Sequence, residues 1–126
     1  MTNAFVGSGL IGDLFQDCVV ADAFSTESFV DKMCRFERAW SAALIEAGRV
    51  GAVNGRAALA VIDGFTPDFE ALSNGSNRDG LPVPELVRQL RLGQPEKVQA
   101  AIHTGATSQD VLDTAMVLTC RDLLHD

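Results

Sequence analysis

Apolar residues recur at intervals of three and four along most of the chain. From Ser25 to Gly48 this spacing places six residues on one face of a helix: Phe29, Met33, Phe36, Trp40, Leu44 and Ala47. Ser25 is the predicted N-cap, and Gly48 is the predicted stop. The pattern therefore predicts a long amphipathic helix, with Trp40 in its apolar stripe.

Shorter helices are predicted in the middle of the chain. The first spans residues 54–62 and is closed by Gly64, and the next has Thr66 as its cap and Pro67 at its first helical position. Another begins near Pro84, ends at Gly93 and turns its leucine and valine residues inward, and PEKVQAAI forms a further short helix. Between them, SNGSNRDG (residues 73–80) is rich in glycine, asparagine and serine, which predicts a loop.

The last predicted helix runs from Thr107 to Asp126. Its apolar residues follow helical spacing with a broad buried face: Val111, Leu112, Ala115, Met116, Leu118, Leu123 and Leu124. Strand-like alternation is absent from the sequence, so the predicted fold class is all-α. Because no stop residue follows this helix, we expect it to continue, with the chain forming the front part of something longer.

Composition narrows the class of protein. At 126 residues and 13.4 kDa, with 47% hydrophobic and 21% charged residues, the chain is expected to form one globular domain at most. The net charge of −7 argues against a nucleic-acid partner or an anionic membrane. Neither a signal peptide nor a transmembrane segment is predicted. Cys18, Cys34 and Cys120 suggest neither disulfides nor a metal site, so a reducing cytoplasm is the expected location.

A glycine motif near the start matches a nucleotide-binding spacing. GSGLIG, residues 7–12, has the G-x-G-x-x-G pattern that lets a backbone approach a pyrophosphate. That fingerprint requires a buried strand before it and a helix after it, and the flanking sequence supplies neither. We therefore interpret GSGLIG as a loop.

The segment HTGATSQD, before the last helix, concentrates polar side chains. Gly105 permits an unusual backbone conformation, and Thr107 or Ser108 can cap the helix, where first-turn N–H groups form a site for a carboxylate. His103 could add a charge or a proton. Alternatively, Thr107 and Asp110 stand three apart and could form a capping box without any ligand. The residues alone leave both interpretations open.

The longer string HTGATSQDVLDT (residues 103–114, the signature) resembles a segment of the fumarase/aspartase superfamily. Its form H-x-G-A-T-S-Q-D-x-x-D-T is most similar to the 3-carboxy-cis,cis-muconate cycloisomerase family. Residues 24–48 also resemble that family's first long helix, and RDGLPVPELVRQLR (78–91) resembles the segment before the signature. The resemblance covers nearly the whole chain.

The resemblance implies an N-terminal helical domain, here residues 1–106, leading into the first long helix of a central bundle, which would start within 107–126. It implies a homotetramer whose active sites each combine three segments from three subunits. The signature would be the first of these, binding a small anionic polycarboxylate through Thr107 and Ser108. Gln109 and Asp110 would shape the pocket, with His103 alongside.

Arg78 is a further candidate for substrate binding. It precedes the signature in the predicted loop 73–80, and loops beside a site often supply ligand contacts. The substrate that the resemblance implies is anionic, which a guanidinium suits.

The reaction implied by the resemblance is an intramolecular lactonisation in the protocatechuate branch of aromatic degradation. One carboxylate adds across a double bond, negative charge spreads onto another, and neither a metal nor an organic cofactor is needed. Two later family segments are missing, including the S-S-x-M-P-x-K-x-N loop with the proposed proton-transfer serine. The general acid/base is therefore expected beyond Asp126, and the isolated chain is predicted to be inactive.

Two other functions stay possible on the sequence. The adenylosuccinate lyases share an H-x-G-x-T-S-x-D form, but their basic phosphate-binding start and an additional histidine before the signature are missing here. The chain could also be a non-catalytic helical domain that acts only by association. The absence of the two later segments is compatible with that third hypothesis.

Overall fold

The computed structural model describes residues 17–125, and the GSGLIG motif lies outside them. Within this range the secondary structure consists of seven helices: α1 (Cys18–Ala23), α2 (Thr26–Glu46), α3 (Ala52–Asp63), α4 (Phe69–Asp79), α5 (Val83–Arg91), α6 (Glu96–Gln99) and α7 (Ser108–His125). The described part contains no strand. The predicted all-α class is therefore confirmed.

Helix α2 is the centre of the fold and packs against both α3 and α7. Ser25 caps it as predicted, accepting a hydrogen bond from the Ser28 N–H at 3.3 Å, and Gly48 follows its end with φ +67°. Its buried face differs from the predicted stripe, since the residues that are buried are Val30, Lys32, Met33, Glu37 and Ser41. Trp40 is half-buried and Ala47 is exposed. The buried face is rotated from the predicted one because both α3 and α7 pack against it. In addition, Glu37 and Ser41 on this face bond residues 103 and 101 of a later segment.

The predicted loop at residues 73–80 is wrong, because α4 continues through Asp79. The predicted cap at Thr66 is also displaced: Asp68 caps α4, and its carboxylate accepts a hydrogen bond from the Ala71 N–H at 2.9 Å. Gly80 ends the helix in the left-handed region at φ +80°. Polar turn formers continue the helix here because a good cap, a left-handed glycine stop and packing against α5 outweigh their weak intrinsic preference.

Helices α4 and α5 approach each other closely at Gly75. A Cβ built on this glycine would lie 2.5 Å from the Cβ of Glu85, which no real pair of side chains tolerates. On α5, Leu86, Val87 and Leu90 are buried as predicted. Gly75 is thus required by contact between helices, not by a turn.

The last helix, α7, changes character along its length. Val111 and Ala115 are fully buried against the core, while Val117 and Leu124 are 65% and 85% exposed. The predicted broad buried face is therefore narrower than expected: the line Val111, Ala115 and Thr119 is buried, whereas the predicted face residues Met116 and Leu124 are exposed. Across the described residues, no helix combines the length and the apolar character needed to cross a membrane.

Candidate functional site

The loop between α6 and α7 (residues 100–107) carries the first part of the signature and is held by side chains of α2. The Ser41 hydroxyl donates to the Ala101 carbonyl at 2.6 Å, and the Trp40 indole N–H donates to the Thr104 carbonyl at 2.9 Å. Both donors come from α2, so two carbonyls of the loop are fixed to the central helix.

A third anchor comes from α5. The Arg91 guanidinium donates to the Ile102 carbonyl at 2.6 Å. Within this anchored stretch, His103 has φ +62° and Gly105 has φ +85°, both in the left-handed region. Glycine adopts that region freely, whereas for histidine it is uncommon and costs energy that the surrounding contacts must offset.

The His103 side chain reaches into the core and meets a buried acid. Its Nδ1 lies 2.7 Å from Oε1 of Glu37, whose side chain is 0% exposed, while His103 itself is 16% exposed. The second carboxylate oxygen, Oε2, has no hydrogen-bond partner among the described residues. His103 is therefore paired with the core through Nδ1, and its Nε2 has no hydrogen-bond partner among the described residues.

The start of α7 is a capping box. The Thr107 backbone N–H and hydroxyl both donate to Oδ2 of Asp110 at 2.8 Å, and the Asp110 N–H donates back to the Thr107 hydroxyl at 3.2 Å. The Thr107 N–H bond, then its hydroxyl, and to a smaller extent His103 hold the pKa of the Asp110 carboxyl below its usual range. The capping interpretation is confirmed for this pair, so any ligand at Thr107 competes with Asp110.

Ser108 and Gln109 occupy the first two helical positions of α7. Backbone N–H groups at such positions have no partner within the helix and point outward from its N-terminal end, where they attract negative charge. Ser108 is half-buried, and the Gln109 side-chain amide is bound to Asp113 one turn later. The backbone amides of Ser108 and Gln109 and the Ser108 hydroxyl are thus the groups best placed for a carboxylate, and they follow His103 closely in the chain.

The sequence places Arg78 before the signature, but its contacts among the described residues are with Asp79 and Glu85 and not with the signature. It sits in the last turn of α4, where it makes a two-pronged contact with Asp79 at 2.9 Å and lies 3.8 Å from Glu85. The hydrogen bond with Asp79 raises its pKa. The expectation that Arg78 stands in a loop is wrong, and its role in binding stays a prediction.

Cysteine and metal chemistry find little support in the described residues. Burial, followed by the charges of Asp31 and Glu37, raises the pKa of the Cys34 thiol to about 11, which keeps it in the unreactive protonated form. Within residues 17–125 no three His, Cys, Asp or Glu side chains are grouped so as to hold a metal ion.

The supporting residues Glu37, Trp40, Ser41 and Arg91 were missed as parts of the site. One signal was present: Glu37 and Ser41 follow Met33 at successive four-residue steps, so polar residues interrupt a buried helical line. Buried polar residues normally have a partner, which implied an unseen contact. The partners themselves lay 60 and 66 residues away in the chain.

No family model matches the chain. Among curated proteins it is 36% identical over 124 residues to the 3-carboxy-cis,cis-muconate cycloisomerase of Acinetobacter baylyi, a match that covers 93% of the chain and 27% of that relative. It is 31% identical to the enzyme of the same name from Bradyrhizobium diazoefficiens, over 90% of the chain and 26% of the relative. It is also 35% identical over 99 residues to the nitrosuccinate lyase of Streptomyces davaonensis, over 68% of the chain and 21% of the relative.

Solved structures show the same relationship. A fumarate lyase from Mesorhizobium sp. BNC1 superposes with a TM-score of 0.79 at 32% identity, over 86% of this chain and 25% of that one. The beta-carboxy-cis,cis-muconate cycloisomerase from Acinetobacter calcoaceticus sp. ADP1 superposes with a TM-score of 0.71 at 30% identity, over 93% of this chain and 28% of that one.

The chain spans about a quarter of the length of these relatives. The sequence and the backbone of this chain match those of its relatives over most of the described residues. The relatives include both cycloisomerases and lyases. On these grounds the chain is a member of the fumarase/aspartase superfamily.

Proposed function

We propose that this chain is the N-terminal part of a 3-carboxy-cis,cis-muconate cycloisomerase-type enzyme, and that its signature supplies one wall of the active site. Its substrate is a small polycarboxylate, and the reaction is an intramolecular lactonisation in the protocatechuate branch of aromatic degradation. We place this reaction in the cytoplasm and its site within a homotetramer. No metal or organic cofactor takes part.

The observation that carries this proposal is the construction of the signature itself. At the start of α7, the backbone amides of Ser108 and Gln109 have no hydrogen-bond partner among the described residues, and the Ser108 hydroxyl lies with them. They follow His103 and a loop that is anchored from two other helices. Fixed donors of this kind suit a carboxylate, because their orientation is already set before the ligand arrives.

The chemistry assigned to these groups is charge stabilisation. As one substrate carboxylate adds to the double bond, negative charge develops on a second carboxylate. Ser108 and the first-turn amides donate hydrogen bonds to that second carboxylate, which lowers the barrier if the bonds strengthen as the charge grows. Gln109 and Asp110 border the pocket, and Thr107 contributes by holding the helix start in shape.

The proton-transfer group is assigned to the part of the relatives' length that this chain does not span. The isolated 126 residues are therefore expected to form no lactone from 3-carboxy-cis,cis-muconate. Lactone formation by the isolated chain would contradict this assignment directly.

A chimera tests the proposal. Residues 17–125 replace the aligned segment of the Acinetobacter baylyi cycloisomerase, and lactone formation is followed by absorbance. We expect activity, and we expect Ser108→Ala to raise the barrier by about 3 kcal/mol, since removing one such donor has that effect in other enzymes. Ser73→Ala, an exposed serine on α4, is the matched control. A folded chimera in which both variants behave alike would contradict a binding role for Ser108.

The likeness to a nitrosuccinate lyase supports a second candidate, elimination from nitrosuccinate. The same anion-binding groups serve both substrates, so the two are separated by offering each to the chimera and to its Ser108→Ala variant. Turnover of nitrosuccinate alone would favour the lyase. A well-folded tetrameric chimera that turns over neither substrate would favour the third function, association without catalysis.

A further inference from the structure

The carboxylate of Glu37 is fully buried but has few hydrogen bonds to stabilise it there. Its side chain is 0% exposed, one oxygen meets His103 Nδ1 at 2.7 Å, and the other oxygen has no partner among the described residues. A buried carboxylate is costly unless its oxygens are satisfied, and within residues 17–125 this one has a single side-chain partner. Such an arrangement needs a reason beyond packing.

Fixing the loop backbone is not that reason. Ser41, Trp40 and Arg91 already hold three of its carbonyls, from two different helices. Among the described residues, Glu37 bonds none of these carbonyls and bonds only the imidazole of His103. Its effect is therefore on the ring itself, at a residue whose backbone is already held in the left-handed region.

A carboxylate oxygen only accepts hydrogen bonds, so the ring nitrogen facing it carries the hydrogen. In a neutral imidazole the other nitrogen is then the acceptor, and which nitrogen takes that part is set by the partner of the first. We infer that Glu37 is a positioning residue that holds His103 in the Nδ1–H form and thereby makes Nε2 the nitrogen offered to a ligand or a proton beside the N-terminus of α7.

The effect of this arrangement on turnover rests on the proposed function, whereas the state of the ring does not. In the neutral ring Nε2 takes up a proton, and once protonated it donates a hydrogen bond to a ligand carboxylate. The nearby Glu37 charge offsets the positive charge that the ring then carries. A ring of the opposite tautomer would instead present Nε2–H and could not accept a proton there.

Nitrogen NMR of the 126-residue chain tests the inference. The chain is labelled with ¹⁵N-histidine, and His125→Gln removes the only other histidine. At mildly alkaline pH we expect His103 to show a hydrogen-bearing Nδ1 and a bare Nε2. In Glu37→Gln we expect this single pattern to be lost to a mixture of both tautomers, whereas Glu46→Gln, an exposed residue of the same helix, leaves it unchanged.

Two results would overturn the inference: a bare Nδ1 in the unmutated ring, which would mean that Glu37 itself holds the proton, or a Glu37→Gln spectrum identical to the unmutated one. If Glu37→Gln fails to fold by circular dichroism, the spectrum of the unmutated ring still decides between the two tautomers.

The active chimera separates this inference from the proposed function. There, Glu37→Gln is expected to lower kcat/KM at least about tenfold, a typical effect of removing the partner that orients a functional histidine. His103→Asn should give a similar loss, and the double variant should add little to either. An active chimera that tolerates Glu37→Gln would refute the positioning role of Glu37 and leave the proposed function standing. An inactive chimera, together with NMR spectra that show the Nδ1–H form of His103, would refute only the proposed function.

Discussion

Two glutamates of this protein are buried, and their surroundings differ. Glu85, 3% exposed, accepts hydrogen bonds from Arg88 at 2.6 and 2.8 Å and from Gln89 at 3.1 Å, with Arg78 3.8 Å away. Glu37 has one histidine for a partner and an oxygen with none among the described residues. Both oxygens of Glu85 therefore accept hydrogen bonds, with two arginines nearby, whereas only one oxygen of Glu37 has a partner among the described residues.

The difference separates a structural role from a functional one. The hydrogen bond from Arg88, the largest influence, together with Gln89 and the neighbouring cations, outweighs burial and lowers the pKa of Glu85 to about 2. A carboxylate held in this way joins helices α4 and α5 but has no free atom for chemistry. The Glu37 pair ends at a ring nitrogen of His103, the first residue of the signature, where a proton can still move. Glu85 should therefore matter mainly to stability, and Glu37 mainly to the state of His103.

The largest expected effect is that of Glu85→Ala. It removes the carboxylate that Arg88 bonds through two nitrogens and leaves a gap beside Gly75. From the lost charge-assisted bonds and the cavity together we expect the free energy of unfolding to fall by about 3 kcal/mol. Urea denaturation of the 126-residue chain measures it, with Glu46→Ala on the exposed end of α2 as the control. A loss equal to that of the control would remove the structural half of the comparison.

Gly75→Ala tests the contact from the other helix. The new Cβ would meet the Glu85 Cβ at 2.5 Å, so α4 and α5 must separate, and we expect a loss of about 2 kcal/mol despite the better helix propensity of alanine. Gly64→Ala is the matched control, because its new Cβ meets nothing nearer than 3.4 Å. If Gly75→Ala stabilises the chain by the propensity gain, the close approach is wrong.

A pair of isosteric changes compares the two carboxylates directly. We expect Glu85→Gln to cost about 1.5 kcal/mol near neutral pH, because it weakens charge-assisted bonds to Arg88. Glu37→Gln should cost within about 0.5 kcal/mol, since losing one such bond is offset by no longer burying a charge. Urea denaturation of the two variants side by side measures this, and equal losses would contradict the distinction.

The pH dependence sharpens that pair. Glu85 ionises near pH 2 when folded and near its ordinary value of 4.5 when unfolded, so its contribution is present above pH 4.5 and is lost as the pH falls towards 2. The stability difference between the unmutated chain and Glu85→Gln should therefore shrink over that interval. A difference that stays constant with falling pH would show that the lowered pKa is wrong.

The smallest expected effect concerns the start of α7. Thr107→Ala removes both hydroxyl bonds of the capping box, so we expect a loss of about 1 kcal/mol in unfolding free energy. Ser108→Ala breaks no such cap bond, and we expect less than about 0.5 kcal/mol from it. Equal losses in thermal or urea denaturation would mean that Ser108, like Thr107, serves the cap.

Sequence reasoning predicted the helices well where apolar spacing was long and caps were clear. Helix α2 with Ser25, and α5 with its buried leucines and valine, followed from local signals that act within one or two turns. It failed at residues 73–80, where glycine suggested a loop. There Gly75 serves a contact with Glu85 of the next helix, and no local pattern distinguishes that use of glycine from a turn.

For the candidate site the sequence determined the signature and the superfamily, because twelve polar and apolar positions in order are a local and specific pattern. It could not determine what holds the signature in place. The anchors from Trp40, Ser41 and Arg91 and the pairing of Glu37 with His103 join residues far apart in the chain. Only the packing of α2 and α5 against the α6–α7 loop brings them together, since hydrogen bonds depend on distance in space and not on order in sequence.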